Sequence, residues 1–341
     1  MSAPNPAPNT APEPAPTPSN ARAKAPVIGV IYNPRSHRNR GQDLDVANRA
    51  NVFVEQPDGK EDIAAALERL HARNIDYLIV NGGDGTVRDV LTQGQHVFRD
   101  AWPELAVLPK GKTNALNVDL GAPADWTLTQ AVDAWPHARR LPRRPIAVED
   151  MSGDDPGRRL GFIMGGGAFT LGVRAGQDAH RMGAFNSLAV GVTTAWGVTS
   201  ILMGRARNKW RRGTPMRFTI GPKKRELPHC DGPQAQRRCL FLASTLERFP
   251  ADMKLFGPGG TVRNRGLKLL VLDRPKRRIF AMVPALLAGF VPAWAKRGGF
   301  RQLAAEEFTL QIGDEYILDG EAYPAGTYRV SQGPRLVFLV P

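Results

Sequence analysis

One short glycine-rich segment carries the residues best suited to chemistry. Residues 82–86 read Gly-Gly-Asp-Gly-Thr and follow a short apolar run. Glycines let the backbone approach a ligand closely and point several N–H groups at an anion. A helix predicted directly afterwards adds the positive end of its dipole. We interpret the segment as a phosphate-binding loop in which Asp84 contacts Mg²⁺ directly or through water.

Two further polar loops are predicted beside the first. Residues 33–36 follow one apolar run, and residues 109–114 follow another. Because the carboxyl ends of parallel strands meet at one edge of a sheet, these loops should lie side by side. Together they predict a nucleotide site formed by Asn33, Ser36, Gly82, Gly83, Asp84, Gly85, Thr86, Gly111, Lys112, Thr113 and Asn114.

The elements that must position these loops divide the chain. Strand, loop and helix patterns alternate over residues 27–140, which predicts an α/β nucleotide-binding domain with a parallel, Rossmann-like sheet. Residues 141–341 show many short apolar segments separated by turns, which favours a C-terminal β-sandwich. Residues 1–26 are rich in Pro and Ala and predict a disordered tail. This tail has neither the basic region nor the apolar region of a signal peptide.

The charge of the chain indicates polyanionic partners. The net charge is +14, and 42% of the residues are hydrophobic, enough for two cores. Residues 184–203 and 279–295 are uncharged and adjoin basic clusters, which favours an anionic membrane surface over nucleic acid. Neither predicts a transmembrane helix, because polar residues and glycines dilute the first, and the second is short and contains Pro284 and Pro292. A core helix plus a loop stays open for each. Cys230 and Cys239 are interpreted as ordinary thiols, without a disulfide framework or a zinc site.

Four motifs, taken in order, resemble the diacylglycerol kinase catalytic family, which also contains ceramide kinases, sphingosine kinases and bacterial lipid kinases. They are Asn33-Pro34-x-Ser36, residues 82–86, residues 105–114, and Asp319-Gly320-Glu321. The resemblance runs from about residue 27 to the C terminus. It implies an α/β nucleotide domain, a β-sandwich lipid domain and an active site in the cleft between them.

The resemblance also implies roles that the residues alone do not supply. On sequence alone, Asp319-Gly320-Glu321 predicts only an acidic hairpin turn after a strand. By resemblance, Asp319 is the first candidate for the general base, with Asp84 second, and Glu321 helps to organise Mg²⁺. Two departures from the family are Lys112, where Thr is usual, and His37, where Gly is usual.

The function expected from these patterns is an ATP- and Mg²⁺-dependent lipid kinase that phosphorylates a lipid hydroxyl. Diacylglycerol is the first substrate expected, and ceramide or a sphingoid base is the second. The expected setting is bacterial and cytoplasmic, with peripheral attachment to the inner membrane, no nucleic-acid partner, and a homodimer left open. One alternative is a small-molecule kinase like the NAD kinases. NAD kinases and phosphofructokinases also contain a Gly-Gly-Asp-Gly loop like residues 82–85, so this loop alone does not decide between the classes. The other is a non-catalytic basic membrane-binding protein on the same fold.

Overall fold

The computed structural model describes residues 25–36, 39, 44–153, 157–181, 212–257, 266–274 and 283–341. Nearly all of the predicted tail, residues 1–26, lies outside this part of the chain. The predicted apolar segment 184–203 lies wholly outside it, as does His37.

A mixed six-stranded sheet lies at the centre of the N-terminal part. Its order is β2-β1-β3-β4-β19-β5, and all neighbouring pairs are parallel except β19 and β5. Every residue of β1 and β3 is buried, as expected for apolar strands covered on both faces of a parallel sheet. The strands are β1 (Ile28–Tyr32), β2 (Val52–Glu55), β3 (Tyr77–Asn81), β4 (Glu104–Val107), β5 (Arg139–Arg143) and β19 (Leu336–Val340).

Four helices connect these strands. They are α1 (Ile63–His71), α2 (Asp84–Phe98), α3 (Ala115–Leu120) and α4 (Leu128–Ala134). α1 buries Ile63, Ala66, Leu67 and Leu70, the spacing that puts apolar side chains on one helical face. Short 3-10 helices lie at Leu44–Asn48 and Lys60–Asp62. The predicted alternation of strand, loop and helix is therefore present in this region.

Two antiparallel sheets form most of the C-terminal part. The first has the order β10-β9-β15-β18-β6-β7, with β11 also paired to β9, and the second has the order β14-β13-β12-β8-β16-β17. Strands of both sheets contribute to one hydrophobic cluster that includes Phe218, Phe241, Leu269 and Tyr328. The strands of the first sheet are β6 (Ile146–Asp150), β7 (Arg158–Gly161), β9 (Thr214–Ile220), β10 (Arg225–Glu226), β11 (Arg237–Arg238), β15 (Glu307–Ile312) and β18 (Gly326–Gln332). Those of the second are β8 (Ile163–Gly167), β12 (Leu240–Ser244), β13 (Leu267–Leu272), β14 (Phe300–Ala305), β16 (Tyr316–Leu318) and β17 (Glu321–Tyr323).

The strand β19 departs from the predicted division of the chain. The sequence places residues 141–341 in one C-terminal domain, but β19 lies in the N-terminal sheet between β4 and β5. Phe338 pairs with Leu105 of β4 and with Leu141 of β5. The five residues of β19 form a continuous apolar run, which fits a buried strand of either kind of sheet. The local pattern alone therefore does not determine which sheet β19 joins.

The remaining helices flank the antiparallel sheets. They are α5 (Ala168–Arg181), α6 (Val283–Leu287) and α7 (Ala293–Arg297), with a 3-10 helix at Pro250–Asp252. α6 and α7 occupy the described part of the predicted apolar segment 279–295, and Phe290 between them is 62% exposed. In the part of the chain that the structure describes, no helix is both long and apolar enough to span a membrane.

Candidate active site

The glycine-rich loop begins where β3 ends and passes directly into α2. α2 starts at Asp84, with Gly83 in an extended conformation as the preceding residue, so the loop is shorter than predicted. Thr86 consequently lies inside the first helical turn. The helix is 15 residues long, and its first turn is formed by the last three residues of the loop that was predicted to bind phosphate, at the positive end of the helix dipole.

The three predicted loops meet at one edge of the N-terminal sheet. Asn33 donates from its backbone N–H to the Asn81 carbonyl (3.1 Å) and from Nδ2 to Thr86 Oγ1 (2.8 Å). A Cβ atom on Gly83 would lie only 2.8 Å from the Cα of Gly111, so the glycine-rich loop and the loop after β4 touch backbone to backbone. This contact requires a glycine at both positions.

The first loop is closed by backbone contacts around Ser36. The Ser36 amide donates to the Asn33 carbonyl (3.2 Å), and the Ser36 carbonyl accepts from the Asn39 amide (2.9 Å). Asn39 also donates from Nδ2 to the carbonyls of Asn33 and Asn81, at 2.9 and 3.0 Å. Asn39, which sequence reasoning did not select, therefore ties this loop to the end of β3.

Asn114 organises the loop after β4. Its Oδ1 accepts from the Gly111 amide (2.8 Å) and its Nδ2 donates to the Gly111 carbonyl (3.0 Å). Its φ of 51° lies in the left-handed region, which Asn tolerates better than most residues. The side chain is thus occupied in shaping the loop, while Lys112 and Thr113 are exposed at its tip.

Asp84 links the glycine-rich loop to α3. Its Oδ1 accepts from the backbone amide of Ala115, the first residue of α3, at 3.0 Å. Burial raises the pKa of the Asp84 carboxyl, and the amides of residues 114–116 oppose this by favouring the charged form. The carboxylate is therefore held at the junction of the two loops.

Asp319 lies opposite, in the turn between β16 and β17. Asp319 and Gly320 have φ values of 44° and 86°, the positive values that a two-residue hairpin turn requires. The Asp319 carboxylate accepts from the backbone amides of Phe162 and Ile163, each at 2.8 Å. The hairpin predicted from Asp-Gly is thus present, and the antiparallel sheet fixes where its carboxylate points.

The pKa of Asp319 ties it to the N-terminal loops. Burial raises this pKa to about 7, and the negative charge of Asp84 acts in the same direction. The amides of Ile163 and Phe162 and the Arg88 guanidinium oppose the shift. The charge of Asp84, the second candidate base, therefore acts on Asp319 across the junction of the two parts of the molecule.

Arg88 is a buried cation that connects α2 to the Asp319 turn. It is 5% exposed, and its Nη2 pairs with Asp89 Oδ1 (2.7 Å) and with Glu321 Oε2. Its Nη1 donates to the carbonyls of Leu318 and Asp319, both at 3.4 Å. Sequence reasoning missed this residue, although Arg88 is four residues after Asp84 and so lies on the same helical face.

Glu321 is held by two cations. One carboxylate oxygen pairs with Lys60 Nζ at 3.1 Å, and the other pairs with Arg88. Both oxygens therefore already have cationic partners, which leaves less negative charge for a metal ion. The role of Glu321 in organising Mg²⁺ stays a prediction. Asp84 fits a magnesium ion better, since its recorded partners among the described residues are backbone amides and not cations.

Asn81 is a second residue that sequence reasoning left out. It is the last residue of β3 and is fully buried, yet within the described residues neither Nδ2 nor Oδ1 of its side chain has a hydrogen-bond partner. Buried polar atoms normally find partners. An unpaired amide next to Gly82 fits a site whose ligand supplies the missing bonds.

Comparisons with solved structures give the class of fold. A protein from Bacillus anthracis strain Sterne, described as a candidate diacylglycerol kinase, is 14% identical, with a TM-score of 0.63 over 95% of this chain and 99% of that one. Another structure, described as a diacylglycerol kinase from the same strain, is 14% identical, with a TM-score of 0.61 over 94% and 99%. At this identity the likeness shows a shared fold.

The sequence comparison finds one family similar to the N-terminal part of the chain. Residues 27–142 match the family described as "Diacylglycerol kinase catalytic domain". The resemblance expected from the motifs is therefore confirmed over these residues, which include the three loops of the N-terminal sheet and exclude the Asp319 turn. A comparison of the sequence with curated proteins gives no match.

Proposed function

We propose that this protein is a lipid kinase that transfers the γ-phosphoryl group of ATP to a hydroxyl group of a membrane lipid. The observation that carries the proposal is the pairing of Asp84 with Asp319. Asp84 belongs to the region that matches the kinase family, and Asp319 belongs to a turn of an antiparallel sheet. The two meet because Arg88, one turn after Asp84 in α2, donates to the carbonyls of Leu318 and Asp319. The charge of Asp84 also raises the pKa of Asp319. Phosphoryl transfer needs such a convergence of a nucleotide loop and an acceptor-activating group.

The nucleotide half of the site is assigned to the loops of the N-terminal sheet. We assign the backbone N–H groups of Gly82, Gly83 and Gly85 to the phosphates, supported by the N terminus of α2. The Asn81 amide supplies a donor and an acceptor that lack partners within the described part of the chain. When bound at Asp84, Mg²⁺ would neutralise phosphate charge.

The acceptor half is assigned to Asp319 as general base. A carboxyl with a pKa of about 7 can take a proton near neutral pH. Each of its oxygens accepts one amide hydrogen bond, and a second lone pair on each remains for the lipid hydroxyl. In this proposal the two antiparallel sheets form the β-sandwich lipid domain, and the site lies in the interdomain cleft.

Peripheral attachment to an anionic membrane belongs to the same proposal. Phe290 is 62% exposed between α6 and α7, and Lys296 and Arg297 nearby are exposed cations. An exposed aromatic ring beside positive charge suits the interface of an anionic bilayer. We therefore place the protein on the cytoplasmic face of a membrane, where ATP and lipid are both available.

The test supplies γ-labelled ATP and Mg²⁺ with mixed micelles of diacylglycerol, ceramide, sphingosine or no added lipid. Label in the organic extract identifies a lipid kinase and its substrate class. The matched blank is Asp84→Asn, because asparagine keeps an oxygen for the Ala115 amide and removes the charge. Label confined to the aqueous phase for every lipid would refute the proposal and would make NAD the next acceptor to test.

A further inference from the structure

A groove lined by arginines lies apart from the candidate catalytic loops. It has a volume of about 460 Å³ and lies between β5, the end of α3 and the segment that follows β12. No residue of the loops 33–36, 82–86 and 109–114, or of the Asp319 turn, lines it. Its arginines are Arg139, Arg143, Arg144, Arg248 and Arg335, and its carboxylates are Asp119 and Glu247.

The carboxylates of the groove are already neutralised. Asp119 is buried, and its Oδ2 accepts from Arg143 Nε at 2.6 Å. Its Oδ1 accepts from the backbone amides of Glu247 and Arg248, at 2.6 and 2.8 Å. The Glu247 carboxylate lies 3.5 Å from Arg143. Because both acids have partners, the groove as a whole presents an excess of positive charge.

Several donors at the groove have no partner of their own. Thr245 is 6% exposed, and within the described residues its buried hydroxyl has no hydrogen-bond partner. Arg248 and Arg335 are exposed at the same groove, and the structure records no ion pair for either among those residues. A hydroxyl and planar guanidinium groups around one cavity match the oxygens of a phosphate group.

We infer that this groove binds a phosphate ester, which is either the headgroup of an anionic phospholipid or a soluble phosphomonoester. The two ligands share the same phosphate chemistry and differ in whether a bilayer must present it. The groove is also connected to the catalytic loop, because α3 begins at Ala115, which donates to Asp84, and ends beside the groove at Leu120. The binding itself does not depend on the proposed kinase activity.

The test compares two double variants of equal charge in the full chain. Arg248→Gln with Arg335→Gln removes the unpaired cations of the groove, and Arg99→Gln with Arg225→Gln removes exposed cations that do not line it. Binding is measured by calorimetry with glycerol 3-phosphate, and by flotation with phosphatidylglycerol vesicles against phosphatidylcholine vesicles. We expect the groove variant to bind about tenfold more weakly than the control variant. Binding of the soluble ester identifies a phosphomonoester site, and binding only to anionic vesicles identifies a headgroup site.

Thr245→Val provides a second test that does not change charge. Because the hydroxyl has no hydrogen-bond partner among the residues that the structure describes, valine should preserve the melting temperature or raise it, while weakening phosphate binding. Equal binding by both double variants would show non-specific charge attraction and overturn the inference. Loss of stability in Thr245→Val with unchanged binding, or no binding of either ligand by the unmodified protein, would overturn it as well.

Discussion

At the scale of single residues, Asp319 shows how a common hairpin turn can place a carboxylate in a candidate active site. The Asp-Gly pair sets the hairpin, and the amides of Phe162 and Ile163 hold the carboxylate in the second sheet. Its position opposite Asp84 then raises its pKa further than burial alone. A local sequence signal can predict the turn, but the partner across the junction is more than 200 residues earlier in the chain.

Asp319→Asn should abolish turnover and leave ATP affinity nearly unchanged. The substitution removes the proton acceptor but does not touch the loops of the N-terminal sheet. Activity is measured by lipid phosphorylation and affinity by calorimetry with ATP. Asp314→Asn, which alters an exposed carboxylate just before β16, is the matched control and should retain activity. Unmodified turnover in Asp319→Asn would remove this residue from the role of base.

The same assignment predicts a pH dependence. Because burial raises the pKa of Asp319 to about 7, the carboxyl is protonated below that pH and cannot accept a proton. We expect kcat/KM to rise between pH values of about 6 and about 8 and then to level off. A profile that is flat, or that falls over this range, would contradict a base with a raised pKa.

Arg88→Ala should impair both stability and turnover. The variant leaves Asp89 and Glu321 without their buried cation and frees the carbonyls of the Asp319 turn. Because both carboxylates are partly exposed, we expect a loss of about 1–3 kcal/mol in the free energy of unfolding, below the cost for a fully buried pair. Denaturant unfolding measures the loss, and the kinetic assay should show reduced kcat.

Arg69→Ala is the control for Arg88. Arg69 pairs with Glu55 at 2.6 Å on an exposed surface, where ion pairs contribute little, so its removal should lower the free energy of unfolding less than Arg88→Ala does and leave kcat unchanged. Equal losses in the two variants would show that Arg88 does no more than an ordinary surface ion pair.

At the scale of elements, the contact between two loops depends on two glycines. Gly83→Ala would place a Cβ atom 2.8 Å from the Gly111 Cα, which forces the loops apart. We expect ATP affinity to fall at least about tenfold, because the phosphate donors lose their arrangement. Calorimetry with ATP measures this affinity.

Gly85→Ala is the matched comparison in the same loop. Its Cβ atom would have as its nearest neighbour the Arg88 Nη2, at 4.0 Å. Because Gly85 lies in the first turn of α2, alanine should preserve stability or raise it by about 0.5–1 kcal/mol. If Gly83→Ala and Gly85→Ala bind ATP alike, the close approach of the loops is not what shapes the site.

The sequence predicts these elements well where the signal is local. The loops at residues 33–36, 82–86 and 109–114 follow apolar strands, and their meeting at one edge follows from parallel pairing. Asn81 and Arg88 were missed for a physical reason. Many apolar strands end in a polar residue that has no function, and an arginine on a helix is usually solvated. Only the tertiary structure buries these two side chains.

At the scale of the whole molecule, the N-terminal sheet is not made by the N-terminal segment alone. β19 separates β4 from β5, and within the described residues β5 pairs only with β19. The pattern of β19 indicates a buried strand but carries no information on its partners. The sequence therefore predicts that an α/β region is followed by a region of short strands. The predicted division at residue 140 is wrong for β19, which belongs to the N-terminal sheet.

A fragment of residues 25–145 should consequently fail to fold as a stable unit. It keeps β1 to β4 but leaves β5 without a partner and the side of β4 uncovered. We expect a broad thermal transition by circular dichroism, whereas the full chain should unfold cooperatively. A synthetic peptide of residues 333–341 should restore part of the cooperativity. A fragment that melts sharply at the temperature of the full chain would contradict this view.

The same strand sets an order of events during synthesis. β4 and β5 leave the ribosome before any strand of the antiparallel sheets, but β19 leaves only after all of them. The edge of β4 is therefore exposed to other chains throughout translation of the C-terminal part, and unpaired strand edges favour aggregation. The N-terminal sheet closes only when the rest of the described chain has been made, so this sheet is completed last although its first four strands are made before the antiparallel sheets.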